Sequence, residues 1–260
     1  MSSSYAFRAL GSAAASVVLA ALAGCEFSGT SVVETRVERV VITDQDGRGW
    51  DVTQAVVRYG FEPRRFLFGL GASRITPFVL PMMAAPADSG YPAPDDTLAV
   101  IGVDGSPARA YRIADLLDVE VADDTLAGTP FAVVVRPLFT DNDPAVYVRV
   151  LDGDTLTLSA SGWVYDSQSV LFDIESGSMW YRLAGESHLT CIAGSHFTGR
   201  LPPRPFTVQS WQQWHGAHPG SLFMLRPPQA PQPAGFMNGR WSTRAGTTTP
   251  NRTGSPPPAG

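Results

Sequence analysis

Residues 98–111 read LAVIGVDGSPARAY, and this stretch decides the fold class of the chain. An apolar run at 98–103 is followed by Asp104-Gly105, a dipeptide that two-residue hairpin turns favour. Residues 108–111 then supply a second strand. The stretch therefore predicts an antiparallel β-hairpin.

Short strands and turns continue on both sides of this hairpin. A second hairpin is predicted at 146–159 around Asp152-Gly153, a half-exposed strand at 32–43, and further strands at 131–138, 170–172, 179–182, 206–209 and 222–225. Short helices are predicted at 54–59, between a Thr53 cap and Gly60, at 113–117, and after Ser210 as far as Pro219-Gly220. The pattern predicts a mainly β (β-rich α+β) fold, a single antiparallel-sheet domain with a few short helices.

The N-terminal segment has the layout of a secretory signal. Arg8 precedes an uncharged run at 9–24 that ends in Leu22-Ala23-Gly24-Cys25. These four residues resemble a bacterial lipobox, which implies diacylation of the Cys25 sulfur and cleavage before it. An ordinary cleaved signal and a short transmembrane anchor stay open as alternatives, although the run is short for a span of about 20 residues.

Composition divides the chain into five segments. We expect a signal peptide at 1–24, a lipid-anchored tether at 25–31, an N-terminal strand, short helix and irregular lead-in at 32–96, and a β-rich domain at 97–226. The tail at 227–260 is rich in Pro and Gly with few apolar residues, so we predict that it is disordered.

Charge and composition exclude several function classes. The formal net charge is −5, which offers no electrostatic case for binding nucleic acid. All 19 basic residues are arginine, so Schiff-base chemistry and a phosphate-loop lysine are excluded. The two cysteines are Cys25 and Cys191; if Cys25 is lipidated, no disulfide framework forms.

One group of metal-ligand residue types stands near the C-terminal end. Imidazole and thiolate suit zinc or copper. The spacing argues against a shared site, because His188 and Cys191 are three positions apart and would face opposite sides of one strand. The favoured interpretation is a set of surface histidines and a small buried cysteine, and a metal site is the alternative. No cofactor is predicted. The group comprises His188, Cys191, His196, His215 and His218.

Nucleophile and carboxylate patterns are weaker. No Gly-x-Ser-x-Gly elbow is present, and the acidic residues at 141–154 are typical of hairpin turns. Glu120, Asp123 and Asp124 precede the central apolar strand, and they remain candidates for acid–base chemistry.

The order of several segments resembles the bacterial family catalogued as domain of unknown function 3179. The likeness covers about 97–225, with 68–77 as a lead-in. The segments that carry it are 101–105, 108–111, 120–124, 128–130, Arg136-Pro137-Leu138-Phe139, Ser161-Gly162, 165–167, 172–173, 178–180, Gly185, and Trp211-Gln212-Gln213-Trp214 with His218-Pro219.

The resemblance implies a centre that this chain has lost. The family usually carries a Cys-Pro-Leu-Cys motif and a histidine before the glutamate that aligns with Glu120, which implies a thiol-redox or metal centre. Here Arg136 and Phe139 stand at the cysteine positions and Val119 at the histidine position. Neither arginine nor phenylalanine replaces a thiolate. The candidate former active-site positions are Val119, Glu120, Asp124, Arg136 and Phe139, and we expect Arg136 to pair with Glu120 or Asp124.

These observations favour a non-catalytic, lipid-anchored protein of the bacterial cell envelope, exported to the periplasmic or extracellular face. Its expected partners are the membrane, through the lipid anchor, and a protein or small molecule bound at the former active site. One alternative is a metal-binding or thiol-redox protein that uses Cys191 and nearby histidines. Another is an acid-catalysed hydrolase that uses Glu120 and Asp124.

Overall fold

The computed structural model describes residues 38–85, 91–103, 106–135, 144–225, 236–237 and 240–241. The predicted signal, the tether and the segment 136–143 lie outside these residues. So does the predicted disordered tail, apart from a pair of two-residue strands. No helix among the described residues is long and apolar enough to cross a membrane.

Helices are few and short, as the sequence predicts. They are α1 (Thr53–Tyr59), α2 (Ile113–Leu116), α3 (Trp211–Ala217) and a 3-10 turn at Pro63–Arg65. Helix α1 ends at Gly60, which has a φ of 71°, and the Ser210 hydroxyl accepts from the Gln213 amide at the start of α3, so both of these signals are confirmed. The predicted Thr53 cap is wrong: Thr53 is the first helical residue, and its hydroxyl instead accepts from the Val40 amide and donates to Asp51.

Strands account for most of the regular structure. In chain order they are β1 (Val41–Thr43), β2 (Gly49–Asp51), β3 (Leu67–Phe68), β4 (Phe78–Val79), β5 (Met83–Ala84), β6 (Thr97–Val103), β7 (Ser106–Arg112), β8 (Val121–Leu126), β9 (Thr129–Val134), β10 (Ala145–Val148), β11 (Val150–Leu151), β12 (Asp154–Thr155), β13 (Leu158–Tyr165), β14 (Gln168–Asp173), β15 (Met179–Tyr181), β16 (Leu189–Ala193), β17 (Arg200–Leu201), β18 (Thr207–Ser210), β19 (Leu222–Met224), β20 (Phe236–Met237) and β21 (Arg240–Trp241).

Three larger sheets organise these strands. Their orders are β17-β16-β15-β14-β13-β3, β18-β6-β7-β19-β5 and β10-β9-β8-β4, and the pairs β1-β2, β11-β12 and β20-β21 form separate small ladders. Pairing is antiparallel except for β4 with β8 and β7 with β19. The predicted mainly β fold class is therefore confirmed, and the antiparallel strands are divided among several sheets.

The four-stranded sheet lies between the other two. Alternate side chains of a strand face opposite sides, so one sheet contributes to two cores. Val121 and Val134 pack with Trp180 of the six-stranded sheet, whereas Ala122 and Val133 pack on the five-stranded side. This central position buries five of the six residues of β8 and the last four residues of β9.

Helices and small ladders cover the outer faces. The ladder β1-β2 and helix α1 pack on the free face of the six-stranded sheet through an aromatic core that includes Trp50, Phe61 and Phe172. On the far side, Trp211 of α3 covers Leu98 of the five-stranded sheet. The N-terminal lead-in is therefore an integral layer of the fold.

The predicted hairpin at 97–112 is confirmed, whereas the second one is shorter than predicted. Only Val150–Leu151 and Asp154–Thr155 pair around Asp152-Gly153. Strand β10 pairs with β9, and β13 pairs with β14, so the flanking segments diverge into different sheets. The divergence follows from burial, because β10 and β13 each complete a separate sheet.

Candidate functional site

Glu120 lies where helix α2 turns into strand β8. Its amide donates to the Leu116 carbonyl at 2.7 Å, and its own carbonyl accepts from Val135 at 2.8 Å. Its φ is 59°, a left-handed conformation that is uncommon for a residue with a side chain. The turn directs the carboxyl toward the six-stranded sheet, where it meets Ser169 of β14.

The carboxyl of Glu120 lies in a very small pocket whose other side chains are mostly apolar. The Ser169 hydroxyl donates to Glu120 Oε2 at 3.0 Å. Burial raises the pKa of Glu120 to about 7, although the Ser169 hydrogen bond lowers it. The cavity beside this carboxyl, lined by Phe68, Gly162 and Trp163, has a volume of about 10 Å³. That is room for about one water, so a larger ligand does not reach Glu120.

Asp124 is held by internal partners on the other side of β8. Its carboxylate accepts hydrogen bonds from the Arg109 guanidinium and the Tyr111 hydroxyl. Burial, together with the Asp124 charge, raises the pKa of Tyr111. Asp124 lies on β8 and both partners lie on β7, so this group links the four- and five-stranded sheets. Asp124 is 2% exposed, so its carboxylate is closed to a substrate.

Asp123 faces the opposite core. Burial raises its pKa to about 8, which the charge of Arg149 and the Leu158 amide only partly offset. Arg149 Nε lies 3.7 Å from Asp123 Oδ1, and its guanidinium also donates to the Leu156 and Phe131 carbonyls. Arg149, which interrupts an apolar run, is a structural residue that our sequence analysis missed.

The structure does not bring Glu120 and Asp124 together as an acid–base pair. The carboxyl of Glu120 meets Ser169 of the six-stranded sheet, whereas the carboxylate of Asp124 accepts from Arg109 and Tyr111 of the five-stranded sheet, so the two groups face different cores. Val119 is buried in the apolar core on the five-stranded side. Arg136 and Phe139, and with them the expected Arg136 ion pair, lie outside the described residues.

The histidines and Cys191 have separate surroundings. The Cys191 sulfur is buried and contacts the Ala193 carbonyl at 3.3 Å, whereas His188 Nδ1 lies 3.5 Å from Glu186. His196 lies near the ring of Trp180, His215 stacks on Trp211, and His218 stacks on Trp214. Within the part of the chain described, no three His, Cys, Asp or Glu side chains are placed to hold a metal ion.

The thiol of Cys191 is poorly suited to redox chemistry. Burial raises its pKa to about 12, although the contact with the Ala193 carbonyl lowers it. The thiolate is the reactive form, so a thiol with this pKa is almost entirely protonated and inert at neutral pH.

A larger cleft is lined by none of these candidate residues, although Ala193, whose carbonyl contacts the Cys191 sulfur, forms part of its wall. It has a volume of about 460 Å³, and its walls carry Arg39, Arg48, Trp50, Gly177 and Gly194. This cleft was not predicted from the sequence. The signal that could have indicated it is Arg48-Gly49-Trp50, because an arginine two residues from a tryptophan can stack on its ring.

The family assignment rests on a match over most of the β-rich domain. A family model described as "Protein of unknown function (DUF3179)" matches residues 77–234, more than half of the chain. This chain belongs to the DUF3179 family. No curated protein and no solved structure matches the chain. The DUF3179 match begins just before β4, so β1, β2, α1 and β3 precede it.

The raised pKa of Glu120 predicts a pH-dependent cost that Glu120→Gln removes. The folded state holds the Glu120 proton up to about pH 7, whereas the ordinary value is 4.5, so stability falls as the pH rises between these values. We expect wild type and Glu120→Gln to be similar at pH 4, and the variant to be more stable by about 3 kcal/mol at pH 8. Urea unfolding at both pH values measures this difference.

Glu62→Gln is the control, because it removes one negative charge from an exposed side chain. It should leave the difference between pH 4 and pH 8 close to that of wild type. A Glu120→Gln protein that is no more stable than wild type at pH 8 would contradict the buried, protonated state of this carboxyl.

Proposed function

We propose that this protein is an exported, lipid-anchored component of the bacterial cell envelope whose β domain binds a ligand and does not catalyse a reaction. The observation that carries the proposal is the closure of the family-like site. Among the described residues, Glu120 is the carboxyl that lines this pocket, Ser169 donates to it, and the free space admits about one water. A substrate needs access to the reacting groups, and this geometry withholds it.

Residue identities also favour binding over thiol chemistry. Arg136 and Phe139 stand where the resemblance expects two cysteines, and neither side chain forms a thiolate. The remaining thiol, Cys191, is buried with a raised pKa. Redox or soft-metal chemistry would therefore need groups that the described residues do not place together.

The anchoring proposal rests on Leu22-Ala23-Gly24-Cys25. Each buried methylene contributes about 0.8 kcal/mol to membrane affinity, so several acyl chains hold a protein stably where a single chain is marginal. Lipidation of Cys25 would thus attach the β domain to a membrane surface without a transmembrane helix.

The anchoring test compares wild type with Cys25→Ser in a bacterium labelled with radioactive palmitate. We expect label and membrane attachment in wild type, and the loss of both in Cys25→Ser. Cys191→Ser is the matched control and should keep label and attachment. Label retained by Cys25→Ser, or unlabelled wild type held in the membrane by an uncleaved N-terminus, would overturn the lipid anchor.

The catalytic test uses purified full-length protein. We expect no insulin disulfide reduction, no hydrolysis of a nitrophenyl ester, and less than a tenth of an equivalent of zinc or copper by elemental analysis. Turnover that Glu120→Gln abolishes would establish an enzyme. Near-stoichiometric metal that Cys191→Ala removes would establish the metal-binding alternative.

A further inference from the structure

The cleft at Arg48 has the size and composition of a small-molecule site. Its volume of about 460 Å³ falls within the range of about 300–1,000 Å³ that is typical of ligand pockets. It forms where strand β2 and the start of helix α1 face the turns at Gly177 and Gly194. Trp50, Met179 and Ala193 add apolar surface to a wall that also carries charged and polar side chains.

Arg48 contributes an unbalanced positive charge to this cleft. Its guanidinium carbon lies 3.9 Å from the centre of the Trp50 ring. No carboxylate of the described residues lies within 4.0 Å of it, whereas Arg39 in the same cleft pairs with Asp51 at 2.7 Å. A stacked guanidinium keeps the N–H groups at its edge available to an oxyanion.

The surface under Arg48 is held in place before any ligand arrives. Trp50 is buried, and its Nε1 donates to Asp44 Oδ2 at 2.9 Å. Asp44 Oδ1 also accepts from the Arg48 amide at 2.9 Å, so one carboxylate fixes both the ring and the backbone that carries the guanidinium. A rigid stacked arginine loses little entropy on binding, which favours affinity.

Gly177 provides the space that the guanidinium edge occupies. A Cβ at this position would lie 2.8 Å from an Arg48 terminal nitrogen. The φ of Gly177 is 70°, a conformation that glycine adopts at no steric cost. The turn therefore leaves room for the guanidinium of Arg48 to lie at the wall of the cleft, where the residue stays exposed to solvent.

We propose that this cleft binds a small organic anion, whose carboxylate or phosphate group is held by two parallel N–H bonds from Arg48. An arginine fork matches the spacing of two oxygens in either group. The proposal rests on the proposed binding function and specifies its ligand class and its place. Arg48 and Trp50 precede the residues matched by the family model, whereas Gly177 and Met179 lie within them. The site is thus built jointly by the lead-in and the family domain.

The test measures dissociation constants by saturation-transfer NMR on the full-length protein in neutral detergent. Benzoate and glycerol 3-phosphate are the anionic probes, and benzamide and glycerol are their neutral counterparts. We expect at least one anion to bind at least tenfold more tightly than its neutral counterpart. Tighter binding of benzoate identifies a carboxylate ligand, and tighter binding of glycerol 3-phosphate identifies a phosphate ligand.

Three variants locate the binding. Arg48→Gln should weaken the anion at least tenfold and leave the neutral probe unchanged, and Arg48→Lys should weaken it less, because charge remains while the fork is lost. Arg58→Gln, on the exposed side of α1, is the control and should bind like wild type. Equal binding of anions and neutral probes, or an equal loss in Arg58→Gln, overturns the proposal. Neither result alters the palmitate labelling or turnover that test the proposed function.

Discussion

Trp180→Ala is expected to lower the free energy of unfolding by about 4 kcal/mol. Trp180 is fully buried and packs with Leu158 and Leu171 in the core between the four- and six-stranded sheets. Truncation of a buried tryptophan costs about 3–5 kcal/mol, because it removes apolar contacts and leaves a cavity. Its Nε1 also donates to Asp173 Oδ2 at 2.8 Å, so the variant leaves a buried carboxylate with one partner fewer.

Urea unfolding of wild type, Trp180→Ala and Trp180→Phe separates the two contributions. The phenylalanine variant keeps most of the apolar volume and loses the hydrogen bond, so we expect a smaller cost of about 1–3 kcal/mol. A cost below about 1 kcal/mol for Trp180→Ala would contradict a core in which this ring joins two sheets.

Asp124→Ala is the second substitution with a large expected effect, a loss of about 3–5 kcal/mol. Removing one partner of a buried ion pair leaves the other charge uncompensated, which costs more than the pair itself contributes. Here the partner is Arg109, whose side chain is 24% exposed, and the Tyr111 hydroxyl loses its acceptor as well. Chemical denaturation at pH 7 measures the loss.

Two further variants test the origin of this cost. Asp124→Asn keeps a hydrogen-bond acceptor for Tyr111 and loses the charge, so we expect an intermediate loss. Arg200→Ala breaks an exposed pair with Glu186 at 3.9 Å and should cost less than about 1 kcal/mol. If Asp124→Ala costs no more than Arg200→Ala, the ion pair does not join the two sheets as described.

Features that depend on neighbouring residues were predicted well. The hairpin of β6 and β7 follows from two strand-forming runs around Asp104-Gly105, and α3 follows from Ser210 at its start. Such features are encoded by residues within a few positions of one another, because turn geometry and helix caps are local. The family resemblance likewise rested on an ordered series of short segments.

Strand β8 was missed because two acidic residues stand in its centre. Asp123 and Asp124 suggested a solvated or catalytic cluster, yet both are buried on a strand between two other sheets. The burial of Asp123 is only partly offset by Arg149, which lies between β10 and β11, whereas Asp124 pairs with Arg109 of β7. No periodicity within β8 reveals these partners.

The candidate sites also separate what adjacent residues encode from what tertiary structure brings together. The amino-acid sequence alone was sufficient for the β-rich class, the main hairpin and the family, since each is encoded in adjacent residues, whereas the secretory layout of the first 25 residues stays a prediction. Tertiary structure alone decided that Glu120 meets Ser169 in a pocket for one water, and that Arg48 lies at the wall of a cleft against Gly177. The reason is physical: burial and pairing depend on segments 49 and 129 positions apart (120 to 169, 48 to 177), which only the packing of the sheets brings together.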